Sequence, residues 1–366
     1  MMRRTTRCFH LGRVGVGCRY PVSIQSMTTI PVQNVADNLA QISRLRAVGC
    51  DIVRLAFDRP EDREHLREIV ARSELPIVAD IQFSADSALA ALQAGVAGIR
   101  LNPGLLRDEG VLRPIAEAAL ERAVPIRVGA NSGSIGNAEI RRRTRDGATL
   151  DQAIGEALVA GALAQCRKLE KFGVRNIKVA LKASSVAVTV AACRRFAAET
   201  DYPLHLGVTE AGTAAAGSIK SAIGIGSLLL DGIGDTIRVS LTAPPEDEVK
   251  VARRILGACN LRDESPEIIS CPGCGRTEVD LPFLVDRVER LVADLKANGV
   301  AIAAKRIAVM GCPVNGPGEA KTADLGVAGS RNGERLVLFS QGRVLGAFPP
   351  QEGLAKLAEL LTQRPN

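Results

Sequence analysis

The sequence predicts an α/β protein, a (β/α)8 TIM barrel followed by a small α+β domain. Three observations predict it. Short β-branched runs that end in polar or glycine clusters recur eight times in the first two-thirds of the 366 residues. Stretches with helical periodicity and helix punctuation separate them. After Ala243-Pro244-Pro245 the theme stops and a different pattern begins. Eight strand–helix units in roughly 240 residues favour a closed barrel over the other arrangement of alternating units, an open doubly wound sheet.

The eight runs are SIQSMT (23–28), DIVRLAF (51–57), IVADIQF (77–83), GIRLNPG (98–104), IRVGAN (126–131), NIKVALK (176–182), LHLGVTEAG (204–212) and TIRVSLT (236–242). Helix-like stretches such as NVADNLAQISRLRAVGCD and SADSALAALQAGVAG lie between them. Several end at a glycine just before the next strand (Gly49, Gly95, Gly173), as a helix C-terminus does. A helix over 246–259 closes this part, and 261–266 reads as a linker. The boundary therefore falls between domains 1–262 and 263–366. In the second, CPGCGRTEVDL leads into a helix over 282–298. The strand KRIAVMGCPVNGPGEA, strands in DLGVAGS and RLVLFSQGRVLGAF, and a last helix over 352–363 follow.

Composition narrows the function. Hydrophobic residues make up 46% and charged residues 24%, a soluble balance able to bury a core. No apolar run reaches membrane-spanning length, and the opening MMRRTTRCFHLGR lacks the apolar stretch of an export signal. Nine cysteines without such a signal point to a reducing, cytoplasmic setting. Trp is absent and Tyr numbers only 2, which argues against a nucleic-acid binder that stacks bases. The net charge of +7 suits a small anionic ligand.

That charge has an unusual placement. Arg follows a β-branched residue in four strands, at Arg54, Arg100, Arg127 and Arg238, and Lys178 takes the same slot in a fifth. Side chains alternate faces along a strand. Arg100 therefore shares a face with Asn102, Arg127 with Asn131, Lys178 with Lys182, and Arg238 with Ser240. Their apolar neighbours cover the helix-facing side, so the basic set points into the barrel. Burying an unpaired cation costs several kcal/mol. Internal salt bridges are one explanation, with Asp80 and Glu210 as the available carboxylates. A multiply charged anion such as a diphosphate is the other, because the Arg fork grips phosphate oxygens in pairs. The glycine-rich stretch 217–234 could add backbone N–H groups, or could serve close helix packing. His205, near Glu210, is a site residue or a satisfied core histidine.

The second domain carries Cys271-Pro-Gly-Cys274, then Cys312 in GCPVNGPGEA, with Glu319 seven residues on. Structural zinc usually takes four Cys or His ligands, and neither a second CxxC nor a nearby His is present. A thioredoxin-type redox pair leaves Cys312 unexplained. An iron–sulfur cluster with three thiolates and a non-cysteine ligand is the third reading. The six remaining cysteines read mostly as buried small apolar residues.

The motifs SIQSMT, DIVRLA, VADIQF, GIRLNPG, IRVGANSGS, LKASS, HLGVTEAG, DTIRVSLT, SCPGCGRT and MGCPVNGPGEA occur in order along nearly the whole chain. On them the chain resembles the 4-hydroxy-3-methylbut-2-enyl diphosphate synthase family, in its short two-domain bacterial form. Gln82 departs from the pattern, where His is expected in many members.

The resemblance implies a [4Fe-4S] cluster on Cys271, Cys274, Cys312 and Glu319. It implies reductive ring opening of 2-C-methyl-D-erythritol 2,4-cyclodiphosphate in isoprenoid synthesis, with ferredoxin or flavodoxin supplying electrons. It also implies a homodimer in which one subunit's cluster domain caps the other's barrel. Arg54, Arg100, Asn102, Arg127, Lys182, Arg238 and Ser240 would bind the substrate. Glu210 would donate a proton, and Asp80 and Asn131 would orient substrate or water. Two rivals remain: a non-redox phosphosugar barrel with a zinc-stabilised accessory domain, and a phospholigand-binding regulatory protein.

Overall fold

Helix punctuation and strand alternation fall where the sequence puts them. The structure, a computed structural model, describes residues 3–106, 108–131, 137–263, 266–330 and 333–363, with the side chains of 131, 137, 138 and 319 left aside. The chain divides into two compact units, Met1–Arg262 and Asp263–Asn366.

The first unit opens with a hairpin that the sequence reading did not anticipate, β1 (Phe9–Leu11) and β2 (Val14–Val16). Three-residue strands leave too little alternation to detect. The eight expected strands follow: β3 (Ser23–Met27), β4 (Ile52–Ala56), β5 (Ile77–Ile81), β6 (Gly98–Leu101), β7 (Ile126–Asn131), β8 (Ile177–Lys182), β9 (His205–Leu206) and β10 (Thr236–Ile237). They pair in parallel in the order β8-β7-β6-β5-β4-β3-β10-β9. A bridge from Val179 to Leu204 links the two ends and closes the barrel.

The helices between them are α1 (Val35–Ala47), α2 (Arg63–Arg72), α3 (Ala85–Gln93), α4 (Glu109–Glu121), α5 (Asn137–Arg145), α6 (Leu150–Lys171), α7 (Val186–Glu199) and α8 (Ala214–Leu230), with α9 (Pro245–Ala258) last. Local chemistry starts and stops them. Ser84 and Ser185 accept the first free N–H groups of α3 and α7, and Thr149 with Gln152 forms a capping box on α6. Gly49, Gly95 and Gly173 end α1, α3 and α6 at φ of +93°, +86° and +88°, where a side chain would be strained. The residues beside the inward Arg and Lys of each strand turn outward. Ile99, Ile126, Val128, Ile177 and Val179 are fully buried in one core with Leu112, Leu158 and Phe196 of the helices.

β9 and β10 are shorter than the runs of the sequence suggest. Beyond Leu206 the chain leaves the ladder through positive φ at Glu210 and Gly212. The glycine-rich stretch is α8, not a phosphate-gripping loop. Its glycines let neighbours close in: a Cβ at Gly224 would stand 2.7 Å from Val208, and one at Gly217 2.5 Å from Leu241. Its N–H groups are spent within the helix.

In the second unit β11 (Glu267–Ser270), β12 (Arg306–Met310), β13 (Leu325–Gly329), β14 (Leu336–Ser340) and β15 (Arg343–Phe348) form one sheet in that order. The first three are parallel and the last two pairs antiparallel. α10 (Leu281–Ala297) and α11 (Pro350–Thr362) contribute Leu284, Val288, Leu357 and Leu361 to the core that buries Ile307, Val309, Val327 and Leu338. The opposite face buries smaller residues, Ala308, Ala320 and Ala328, with Phe339. A π-helical turn, Val314–Glu319, lies between β12 and β13. β11 was not foreseen either.

Candidate active site

Strand register lines up the inward charges. Asp80 pairs across the sheet with Arg100, Arg100 with Arg127, and Arg127 with Lys178. One carboxylate and three cations thus form a row around the barrel wall. Arg100 and Arg127 of this row also line a cavity of about 170 Å³, together with Arg54, Lys182, Arg238 and Ser240, with Thr209 and the small Gly129 and Ala180 between them. Six of the seven expected substrate-binding residues are therefore brought together. Asn102, the seventh, is half-buried and donates to Gln82 Oε1 at 2.7 Å. Gly207 keeps the space open, since a Cβ there would lie 2.5 Å from Lys182 Nζ.

Only part of this charge is neutralised. Asp80 meets Arg100 at 3.0 Å and Arg54 at 3.6 Å. Burial pushes its carboxyl up, but Arg54, Arg100 and Arg127 outweigh that and hold it below the usual carboxylate range, so Asp80 stays ionised. Arg54 also donates to Met27 Sδ at 3.0 Å, a weak acceptor. Among the described residues Arg127, Lys178, Lys182 and Arg238 form no salt bridge, and Arg127 Nε, Arg238 Nε and Lys178 Nζ have no hydrogen-bond partner. Burial and then mutual repulsion weaken the hold of Arg127, Lys178 and Lys182 on their protons. Arg54 falls to about 10 and Lys178 to about 7, while Arg127 and Lys182 fall well below their ordinary values. Asp80 accounts for two of the buried cations as internal ion pairs. Arg127, Lys182 and Arg238 line the cavity with no carboxylate in salt-bridge range among the described residues.

The remaining expected residues fall differently. Glu210 is exposed at φ +53° in the turn after Thr209 and is not a wall of the cavity. Asn131 ends β7 in register with Lys182, and its side chain lies outside the described residues. His205 is fully buried against Thr236 Oγ1 at 2.8 Å, and burial followed by Lys182 keeps it neutral. Thr209 and Glu248 were missed. Glu248 reaches from α9, accepts from Leu241 N–H at 2.9 Å and Ser26 Oγ at 3.3 Å, and so pins the segment after Arg238. A helix-borne carboxylate carries no strand signal, and only the membership of Thr209 in HLGVTEAG could have flagged it.

In the second unit, parallel register sets the last residue of β11, Ser270, beside Val309 of β12. Cys271 and the Gly311-Cys312 pair therefore leave the sheet at the same edge. Gly311 N–H donates to Cys271 Sγ at 3.3 Å, and Cys274 N–H to Thr277 Oγ1 at 2.8 Å. Gly311 is obligatory, because a Cβ would lie 2.8 Å from the Thr277 side chain. All three thiols are free. Cys271 and Cys274 border a hollow of about 560 Å³ with Thr277, Leu281 and Val285. The side chain of Glu319 lies outside the described residues. Among the described residues no three Cys, His, Asp or Glu side chains converge as a single ion requires. Cys271 and Cys312 follow the ends of adjacent strands, and three free thiols, one already accepting a backbone N–H, suit the thiolate chemistry of a cluster. β11 does precede the CxxC, but α10 begins only at Leu281, too late for a thioredoxin-type opening.

Residues 6–253 match the GcpE TIM-barrel domain and residues 267–363 the GcpE protein C-terminal domain. Proteins named 4-hydroxy-3-methylbut-2-en-1-yl diphosphate synthase (flavodoxin) from Nocardia farcinica and Mycobacterium tuberculosis are each 46% identical over 98% of this chain and 89% of their own length. With both halves matched in order and the likeness running nearly end to end, the chain belongs to the GcpE family of 4-hydroxy-3-methylbut-2-en-1-yl diphosphate synthases.

Proposed function

We propose that the cationic barrel cavity binds the diphosphate of the substrate, and that Cys271, Cys274, Cys312 and Glu319 hold a [4Fe-4S] cluster. The chain is an oxidoreductase of isoprenoid synthesis that opens 2-C-methyl-D-erythritol 2,4-cyclodiphosphate reductively to 4-hydroxy-3-methylbut-2-enyl diphosphate. The observation that carries the binding proposal is the set of inward-facing cations, buried Arg127 with half-buried Lys182 and Arg238, that line one cavity and form no salt bridge among the described residues. A cyclic diphosphate supplies the missing negative charge. As the ring opens, charge grows on the departing phosphate oxygen. Guanidinium groups already fixed at that place stabilise it without reorganising.

The other residues divide the remaining work. Asp80 stays ionised and orients Arg54 and Arg100, so it is an anchor and not an acid. Glu210 stands in water at the strand end that leads from the cavity, and serves as proton donor to the departing hydroxyl. Ser240, Asn102 and Asn131 offer neutral hydrogen bonds to substrate or water. When bound, the cluster supplies electrons one at a time. Three thiolates and a carboxylate suit it, the carboxylate being the more easily displaced ligand. Flavodoxin, printed in the relatives' names, is the donor we propose, in a homodimeric protein.

An anaerobic assay with a chemical reductant tests the reading directly. Purified protein should contain iron and sulfide and convert the cyclic diphosphate, and Cys312→Ser should lose both. Full cluster content and turnover in that variant would reject the ligand set. Zinc without sulfide would favour a structural metal instead.

A further inference from the structure

Six cysteines lie outside the proposed cluster site, and they fall into two kinds. Cys50, Cys166 and Cys193 are buried, and burial pushes each thiol up to about 12. Cys259 is buried and raised as well. These are inert packing residues. Cys8 is exposed and Cys18 half-buried, and their Sγ atoms are 3.9 Å apart. The expectation that most of these six are buried apolar filler holds, with this pair as the exception.

The backbone holds the two thiols together. Arg7 N–H donates to Asp201 O at 2.9 Å, and its guanidinium binds Glu170 at 2.7 Å and Asp201 at 2.8 Å, which fixes the chain next to Cys8. The β1–β2 hairpin pairs Phe9 with Val16, so its open end brings residues 8 and 17 opposite. Gly17 has φ +120°, and a Cβ there would lie 2.2 Å from Arg7 O and 2.8 Å from Cys8 Sγ. That close approach delivers Cys18 to Cys8. Both thiols donate to one carbonyl, Thr6 O, from 3.6 Å and 3.2 Å. The Thr6 backbone is the main cause that lowers the pKa of Cys18, with burial opposing it.

We propose that Cys8 and Cys18 form a reversible dithiol–disulfide couple whose oxidant is a low-molecular-weight disulfide. The Cys18 thiolate attacks one sulfur of the oxidant, forming a mixed disulfide and releasing one thiolate, which takes a proton. The Cys8 thiolate then displaces the second thiolate and closes the Cys8–Cys18 bond. Two protein thiols are oxidised, and one external disulfide is reduced to two thiols. Bond formation needs the sulfurs to close from 3.9 Å to about 2.0 Å, within reach of side-chain rotation.

The couple lies at the far end of the barrel from the cavity. Phe9, Leu11 and Val16 of the hairpin pack on Ile52 and Val78, where β4 and β5 begin. Oxidation would therefore staple the barrel floor and leave the cavity residues untouched.

Trypsin provides the test, because it cuts after Arg7, Arg13 and Arg19 and separates the two cysteines onto peptides 8–13 and 14–19. The anaerobically purified protein is treated with oxidised glutathione, its free thiols are alkylated, and it is digested. The expected product is the cross-linked pair of these peptides, reversible by a dithiol, with thermal unfolding raised by a few degrees in the oxidised form. Cys8→Ser should trap glutathione on Cys18. Separate alkylation of both peptides, or glutathione carried on each without a cross-link, overturns the proposal.

Discussion

Arg127 shows how single residues can be set against stability for the sake of function. It is 7% exposed, has no carboxylate partner among the described residues, and faces Arg54 and Arg100. Arg127→Ala should therefore raise the unfolding temperature of the ligand-free protein and weaken substrate binding. A hydrogen bond to a charged group is worth about 1.5–3 kcal/mol, so KM should rise about tenfold or more. A variant with both lower stability and unchanged KM would make Arg127 a structural residue. Lys178 has a pH signature. Its folded value is about 7 against an ordinary 10.5, with burial the main cause and Arg127 next. Below the folded value both states carry the proton, and the full cost of burying it falls on the folded state. Above it only the unfolded chain is protonated, so native stability rises with pH until the unfolded value is reached. Lys178→Met should thus be more stable than the native protein by several kcal/mol at about pH 6, with the gain shrinking toward about pH 10. A difference that stays flat across that range would contradict the assignment. For Glu210, Glu210→Gln should lower kcat far more than it changes KM. Steady-state kinetics with equal kcat would remove its proton role.

At the level of elements, legibility followed length and period. Strands with Arg after a β-branched residue were readable because alternation sorts their faces, and Arg54, Arg100, Arg127 and Arg238 do converge. The hairpin of β1 and β2 and the four-residue β11 were not, since they stand outside the strand–helix repeat that marked even the two-residue β9 and β10. Glu248 was hidden because its role depends on how α9 packs, which no local pattern encodes. β13 offers a test of how an element supports the cluster ligands. A Cβ at Gly326 would lie 2.1 Å from the Phe339 ring, and Phe339 in turn lies beneath Gly316 of the π-helical turn that ends at Glu319. The ring is fully buried and has nowhere to retreat. Overpacking of this kind costs about 1–3 kcal/mol. Gly326→Ala should lower iron content and stability while leaving pyrophosphate binding intact, measured by metal analysis and calorimetric titration. Full iron loading with unchanged stability would show that Phe339 does not support the turn.

The charge of the whole molecule is divided between its two units. Residues 1–262 hold 35 Lys and Arg against 27 Asp and Glu, a net of +8, and residues 263–366 hold 12 against 13. Many barrel charges are surface ion pairs such as Arg72–Glu68 and Arg195–Glu199, which contribute little. The energetically costly ones point inward, and among the described residues Arg127, Lys178, Lys182 and Arg238 form no salt bridge. A barrel built this way is less stable empty than filled, and its ligand should return what the cations withhold. Inorganic pyrophosphate isolates this effect because it carries the charge without the reacting carbons. At about a hundredfold excess over its dissociation constant a ligand adds about 2.7 kcal/mol to the state it binds. The two units have separate cores, so the gain belongs first to the barrel. Scanning calorimetry should show the barrel transition rising by several degrees with pyrophosphate, with less change in heat absorption assigned to residues 263–366. Salt should weaken the shift only modestly, since the cations are shielded from solvent. In Arg127→Ala the shift should shrink. A pyrophosphate effect that is absent, or equally large in that variant, would mean that the inward charges serve something other than a phosphate ligand.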